Sequence, residues 1–459
     1  MIRINTLPFV STSDNPEDRS KDKFPIELTK AISHRFPLMN TVSRRSFLQT
    51  STAAALAASL APVRGQIASA KLKLGLIGCG GRGTGAAAQA LTADSNTEMW
   101  AFGDVFADAI DKSHKALAAQ IPASGRINVA GDRRFVGLDA YQKVLASGAD
   151  VILIATPGGF RPPILRAAVE AGKHIFCEKP MGVDPAGIRS AMESVRLAKE
   201  KKLALRAGFN MRFEPAYQEA MQRIHGGDIG DIVAIYSTRL GNRLTRFSGE
   251  RLPGQTDLEW QLRNWHYFSW LSGDYIMEIT VHSVDKIAWA MRDQPPVKCQ
   301  ATGARWQQKT GDIWDQFDVT YTWANGAIAV LKTRYQDGVY NEQRDTIIGT
   351  KGRCEFVGYA AQIFGDKPWK YAGPKPSSHQ IEHDELFADL RAGKIPNDGD
   401  RMAQSTLMGI MGRMSAYTGK EVTWEMALNS KLDTMPKDLR WDMALPVGPV
   451  PEPGVTPLI

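Results

Sequence analysis

Cysteine is scarce in this 459-residue chain: Cys79, Cys177, Cys299 and Cys354 are the whole complement, with no CxxC pair and no histidine at zinc-ligand spacing. Neither a disulfide framework nor a structural metal is expected from so few, and no metal ligands are assigned. Long apolar runs are missing as well. The most apolar stretch, residues 53–61, is rich in alanine and falls well short of the ~20 residues that a bilayer span needs, so no stable membrane span is expected. A strong charge of one sign is also lacking. The net charge is +7, but the first 70 residues hold nine Lys/Arg against five Asp/Glu, which leaves the remainder only mildly basic. Without a basic run or an RNA-binding signature, nucleic acid is not an expected partner. What is present, 43% hydrophobic and 23% charged residues, suits a globular chain with enough apolar side chains for two cores.

The beginning of the chain reads as an address. Ser43-Arg44-Arg45-Ser46-Phe47-Leu48 precedes the short alanine-rich stretch, and Ala68-Ser69-Ala70 then offers small residues before Lys71. Twin arginines, a short apolar segment and a small-residue cleavage site form a bacterial export signal of the Tat type. Residues 1–70 are expected to be this leader, the Tat machinery a partner, and the mature protein periplasmic or otherwise extracytoplasmic. Such leaders start close to their arginines, so either Met1 or Met39 is the true start, with residues 1–38 an extension in the first case. The Tat route carries folded proteins, which would let a cofactor travel inside its site.

Directly after the leader, residues 72–77 alternate and then turn wholly apolar, as a buried parallel strand does. They run into Gly78-Cys79-Gly80-Gly81-Arg82-Gly83, and helix-forming alanines follow. In a dinucleotide-binding turn the glycines have separate tasks: Gly78 makes the tight turn, Gly80 lets backbone approach a pyrophosphate, and Gly83 lets helix and strand pack closely. The phosphates would meet the free amides and positive end of the helix. A second strand, residues 99–102, ends at Gly103-Asp104, 26 residues beyond Gly78, near the ~20-residue spacing of an acid that binds the adenosine ribose. Asp104 is therefore either that acid or a helix N-cap. As the ribose acid it repels a 2′-phosphate and favours NAD; Arg82 would offset part of that repulsion and keep NADP open. Further strands at 150–155 and 174–177, and helices at 141–147 and 162–171, continue a βαβ series, the pattern of a doubly wound parallel sheet whose ligands sit at the strands' carboxyl ends.

Two segments lie at those ends, Thr156-Pro157 and Glu178-Lys179-Pro180. Together with Ala171-Gly172-Lys173-His174, and in this order downstream of the glycine turn, they resemble the Gfo/Idh/MocA oxidoreductases from about residue 72 onward. The resemblance implies an α/β protein: a Rossmann domain (71–227), then a C-terminal α/β domain with a large open, mainly antiparallel sheet (228–445), with 446–459 an irregular tail. It also implies homo-oligomers. It places Gly81, Thr156, Pro157, Glu178 and Asn210 with the cofactor and Lys179 beside the nicotinamide, and it puts an acid and a His on one helix at the substrate, here Glu278 and His282. Positions i and i+4 share a helix face, so both would reach one site, and an imidazole with a pKa near ~6.5 suits a hydroxyl proton. Arg212 is implied at the pocket, with Trp265 and His266 from an aromatic-rich run that is either core or a platform for sugar rings. The chain departs from the family where Glu278 replaces Asp, Thr280 replaces a small residue, and Arg161 replaces a His. A fixed guanidinium at 161 makes an anionic substrate more plausible.

Beyond residue 232 longer strands follow at 233–238, 318–323, 328–335 and 345–349, and helices at 383–392 and 404–418 are expected to pack back on the nucleotide domain. The expected function is oxidation or reduction of a sugar or polyol alcohol with tightly bound NAD. Two other functions fit the same residues: a redox-neutral glycosidase working by transient oxidation and elimination, and a sugar sensor that has lost its chemistry.

Overall fold

The computed structural model describes residues 69–121, 125–127, 129–244 and 247–459. All but the last two residues of the expected leader lie outside these. Among the described residues no helix is long and apolar enough to cross a membrane.

The first half folds as its pattern of apolar strands and amphipathic helices dictates. Six strands, β1 (Leu72–Ile77), β2 (Thr97–Asp104), β3 (Arg134–Val136), β4 (Val151–Ile154), β5 (His174–Cys177) and β6 (Leu205–Ala207), form one parallel sheet in the order β3-β2-β1-β4-β5-β6. Leu74, Leu76, Ile152, Leu153 and Ile154 are fully buried, as befits central strands covered by helices on both faces. The strand order reverses between β1 and β4, and ligands of such sheets bind outside the strand ends at that point.

The second half is built on nine strands: β7 (Ile232–Gly241), β8 (Lys298–Ala304), β9 (Gln316–Thr322), β10 (Ile328–Tyr335), β11 (Glu342–Gly349), β12 (Gly352–Val357), β13 (Ala360–Gly365), β14 (Trp369–Lys370) and β15 (Val422–Thr423). Their order is β14-β13-β12-β11-β7-β10-β9-β8-β15. All neighbours are antiparallel except β7 and β10, which pair in parallel, so the sheet is mixed. The alternating burial of β9 and β10 turns one face of the sheet to the core and the other outward. Tyr236 and Val233 on β7 are about half exposed.

The late helices do return to the first half. Ser378–Arg391 lies against the Gly81–Ala93 helix, and Gly399–Thr418 against Pro185–Glu200. Arg391 seals the first of these contacts, its guanidinium bonded to Asp94 and to the carbonyls of Ala70 and Asn96. Residues 446–459 contain no helix or strand. All four cysteines are free and buried.

Candidate active site

A cavity of about 1010 Å³ opens at the carboxyl ends of β1, β2, β4 and β5. It reaches the upper end of the ~300–1,000 Å³ typical of drug-sized ligand sites. Its floor is the glycine turn. Gly78 has φ +94°, and a Cβ there would stand 2.7 Å from the backbone of Ala155 and Thr156. A Cβ on Gly83 would come within 2.0 Å of the Gly78 carbonyl oxygen, so this glycine sets the distance between helix and strand. At Gly80 and Gly81 a Cβ would meet nothing within 4 Å. Bare backbone thus faces the open cavity at two positions and packs tightly at the other two. The Gly81–Ala93 helix that begins here has no side-chain cap and no acid in its first turn, so its leading amides are available to an anion.

Asp104 does not cap the helix that follows it. Its carboxylate accepts the Cys79 amide at 2.7 Å and the Phe106 amide at 3.0 Å, while the helix beginning at Ala107 has no side-chain cap. The acid ties the glycine turn to the end of β2 and lines the cavity beside it. Burial pushes its pKa up, and hydrogen bonds from the Phe106, Cys79 and Val105 backbone only partly counter this. The expectation that Arg82 would offset the charge of Asp104 is corrected: its Nε lies 3.2 Å from Glu178 Oε1 and its Nη2 donates to Gln89. Thr156 and Pro157 also line the cavity, and Thr156 Oγ1 is shielded with no hydrogen-bond partner among the described residues. Open glycine backbone, bare helix amides, an acid at the end of β2 and a waiting hydroxyl together fit a dinucleotide.

At the other end the cavity reaches Lys179, Glu278 and His282. Lys179 Nζ lies 3.0 Å from Glu278 Oε2 and also donates to the Glu278 carbonyl. Burial alone would raise the Glu278 carboxyl, but Lys179, His266 and Arg161 hold it below its usual value. His282 is pushed well below the ordinary imidazole range by recession from solvent, with Lys179, Arg239, His379 and Lys286 adding to the effect. It is therefore neutral near pH 7. Its Nδ1 has no hydrogen-bond partner among the described residues, and the Phe209 ring stands edge-on to it at 5.9 Å.

The single helix expected to carry both groups is in fact broken. Tyr275–Glu278 and Val281–Ala290 are separate helices, with Ile279 and Thr280 forming the joint. Thr280 is buried there, its hydroxyl bonded to Thr333 on β10 at 2.7 Å. The bent path still brings both side chains to one cavity.

Three other expectations need correction. Arg212 is not at the pocket: it is buried under the Val281–Ala290 helix, where it forks onto Asp285 at 2.8–3.0 Å and onto Asp293. A buried Asp285 demands such a cation, and the pair anchors the helix that carries His282. Asn210 does not line the cavity either; its amide donates to Ser378 Oγ at 2.9 Å and so holds the start of the Ser378–Arg391 helix. His266 is fully buried, stacked on Phe247 at 5.8 Å and edge-on to Tyr275 at 5.0 Å, which makes it part of an aromatic core. Trp265 does line the cavity, as does Arg161.

The sequence reading missed His379, which enters the cavity from the first turn of the Ser378–Arg391 helix. Apart from Trp265, it also missed the cover formed by residues 247–264. From that cover Arg263 lies 3.9 Å over the Phe106 ring and 3.4 Å from Asp108, bridging to the nucleotide domain. The capping turn Thr256–Glu259 was a local signal for the helix that carries Arg263; His379 had none.

Residues 72–209 match the sequence profile described as "Oxidoreductase family, NAD-binding Rossmann fold", and residues 217–355 match the GFO/IDH/MocA C-terminal domain. Inositol 2-dehydrogenase of Rhizobium meliloti (strain 1021) is 25% identical over 284 residues, 61% of this chain and 74% of the relative. Among solved structures, aldose-aldose oxidoreductase from Caulobacter crescentus, complexed with glycerol, superposes with TM-score 0.61 at 18% identity, covering 77% of this chain and 99% of that one. WlbA dehydrogenase from Bordetella pertussis, in complex with NADH and UDP-GlcNAcA, gives TM-score 0.61 at 23% identity over 77% and 98%. The two profiles follow one another along the chain and together span more than half of it, with the NAD-binding fold coinciding with the glycine turn and Asp104. The chain belongs to the Gfo/Idh/MocA family of oxidoreductases.

Proposed function

We propose that the protein oxidises or reduces a sugar or polyol alcohol with a tightly held NAD. One observation carries this reading: Lys179, Glu278 and His282 converge on the same cavity as the glycine turn and Asp104. Inositol 2-dehydrogenase and aldose-aldose oxidoreductase, both similar to this chain, bear names that point to the same class of alcohol.

The glycine turn, the leading amides of the Gly81–Ala93 helix and Asp104 would hold NAD, which would supply a hydride acceptor for the carbinol carbon during oxidation. The chain's own residues handle the proton. Neutral His282 takes it from the hydroxyl, and Lys179 holds the oxygen as negative charge develops there. Glu278 orients the ammonium through its carboxylate and its carbonyl. In the reverse direction the same groups return the proton. The cover over the cavity supports slow cofactor exchange, because Arg263 spans from it to Asp108 and Phe106, and Gln261 ties it to the Leu445 carbonyl.

Substituting Lys179→Met tests the chemistry. It removes the charge next to the reacting oxygen while leaving the glycine turn untouched, so the expected result is intact NAD binding with hydride transfer reduced by about 100-fold or more. Full activity in that variant overturns the mechanism.

We also infer that residues 1–70 direct Tat export, on the strength of Arg44-Arg45 and the small residues before Lys71. Replacing both arginines by lysine should leave the precursor inside the cell, as read by fractionation. Unchanged export would end that reading.

A further inference from the structure

Arg161 opens the Arg161–Glu170 helix at the wall of the cavity. Its residue is only 5% exposed. Nη1 donates to the Pro180 carbonyl at 2.7 Å, Nε has no hydrogen-bond partner, and among the described residues no carboxylate stands within ion-pair distance of the guanidinium. The two nearby acids are already engaged, Glu178 with Arg82 and Glu278 with Lys179. At this end of the cavity three permanent cations, Arg82, Lys179 and Arg161, therefore face two carboxylates. His282 and His379 add no charge near neutral pH, both being pushed down by their surroundings. One positive charge is left over, on a side chain with five N–H donors of which the described residues engage one.

A buried charge without a partner is costly, and an ion pair or ligand must relieve it. A guanidinium fork matches a carboxylate in plane and spacing, giving two parallel bonds that a lysine or a neutral hydroxyl cannot reproduce. We propose that Arg161 is the substrate-recognition residue for a carboxylate, and that the substrate is a sugar or polyol acid of the uronate or aldonate class. This rests on the alcohol-oxidation reading above and adds the charge of the substrate. The carboxylate would meet Arg161 while a hydroxyl of the same molecule meets Lys179 and His282. Both ends of such a substrate have partners in one cavity, and the fixed distance between them selects which hydroxyl reacts.

The test uses the full mature chain loaded with NAD and follows reduced nicotinamide by absorbance. Glucuronate is compared with glucose, and galacturonate with galactose. The expected kcat/KM favours an acid over its neutral partner by about 30-fold or more, the effect of completing a buried charge pair. Arg161→Met should abolish that preference through KM for the acid, with kcat little changed, and Arg161→Lys should restore part of it. A wild-type preference for neutral sugars overturns the inference and leaves the proposed function standing. Activity on neither class overturns both. If Arg161→Met lowers kcat equally for both members of a pair, Arg161 acts only by supporting the Pro180 turn and the inference falls. It falls as well if the variant's sole defect is weaker NAD binding in titration, which would assign the guanidinium to the dinucleotide. A melting curve of the variant confirms that a folded protein is being compared.

Discussion

Gly80→Ala and Gly83→Ala change the same atoms three residues apart, yet the geometry separates their consequences. At Gly83 the new Cβ would lie 2.0 Å from the Gly78 carbonyl, where real contacts stay beyond 3.0 Å. Helix and strand would have to part by roughly 1 Å. Overpacking of this kind costs ~1–3 kcal/mol, against up to ~1 kcal/mol regained by replacing glycine inside a helix, so a net loss of about 1–2 kcal/mol is expected without any ligand. At Gly80 the backbone has φ −71° and ψ −177°, which alanine adopts freely, and the Cβ would point into open cavity. The apo protein should therefore melt like the wild type to within about 1 kcal/mol, the difference being alanine's poorer N-capping. The cost appears with NAD. Holding the pyrophosphate away from the helix amides removes at least one charge-assisted hydrogen bond, ~1.5–3 kcal/mol, or about 10- to 100-fold in Kd. With NAD at one hundred times the wild-type Kd, the wild type gains about 2.7 kcal/mol of stability, and a variant weakened 100-fold gains only about 0.4 kcal/mol. Thermal melting of both variants with and without NAD reads all four quantities. The reasoning is refuted if the G80A protein keeps the full NAD-dependent gain, or if the G83A protein melts like the wild type without ligand.

Two further outcomes follow from groups outside the reacting centre. Arg212→Met leaves Asp285 buried without its cation, so a loss of about 3–5 kcal/mol in urea unfolding is expected, with KM for the substrate unchanged in the protein that remains folded. A selective rise in KM at wild-type stability would return Arg212 to the pocket. His383 is fully buried, and burial lowers its pKa to about 3. The unfolded chain protonates this imidazole below about 6.5 while the folded chain does not, so stability falls with pH between those two values and is unaffected above them. His383→Leu should flatten that decline by about 1.4 kcal/mol per pH unit, although the lost bond to the His379 carbonyl lowers stability at every pH. An unchanged slope in acid unfolding would show that His383 is not held neutral.

The inner strands β1, β2, β4 and β5 of the first sheet were legible because they are largely buried apolar runs, whereas the edge strand β3, with Val136 46% exposed, carried no such run and was not expected. β5 falls on the expected residues 174–177. The parallel pairing of β7 with β10 was not legible. Alternation of period two fixes which side chains face the core but says nothing about the direction of the neighbouring strand. Site residues divided along a similar line. The glycines, Asp104, Lys179 and Trp265 line the cavity where local sequence places them, at the ends of strands and in the turn of a helix. Asn210, Arg212 and His266 are polar groups whose partners, Ser378, Asp285 and the Phe247 and Tyr275 rings, are distant in sequence or on another element. From the chain alone a polar side chain near a site cannot be told apart from one that braces it. His379 is the converse case, a cavity residue delivered by a helix whose first turn carried no signal.

The broken helix shows how much chemistry such unseen geometry can hold. In a continuous helix the Glu278 carbonyl would accept the amide four residues on, and only its carboxylate would be free. Because the path turns at Ile279–Thr280, the carbonyl joins the carboxylate on Lys179. Two oxygens of one residue then fix the ammonium's direction, which a surface ion pair with one long, rotating acid could not do. By the resemblance Thr280 takes the place of a small residue, and its hydroxyl pins the joint to Thr333 on β10. The substitution and the longer acid beside it thus belong together: a threonine that holds the bend against the second sheet, and a glutamate whose carboxylate and carbonyl both reach the lysine across it.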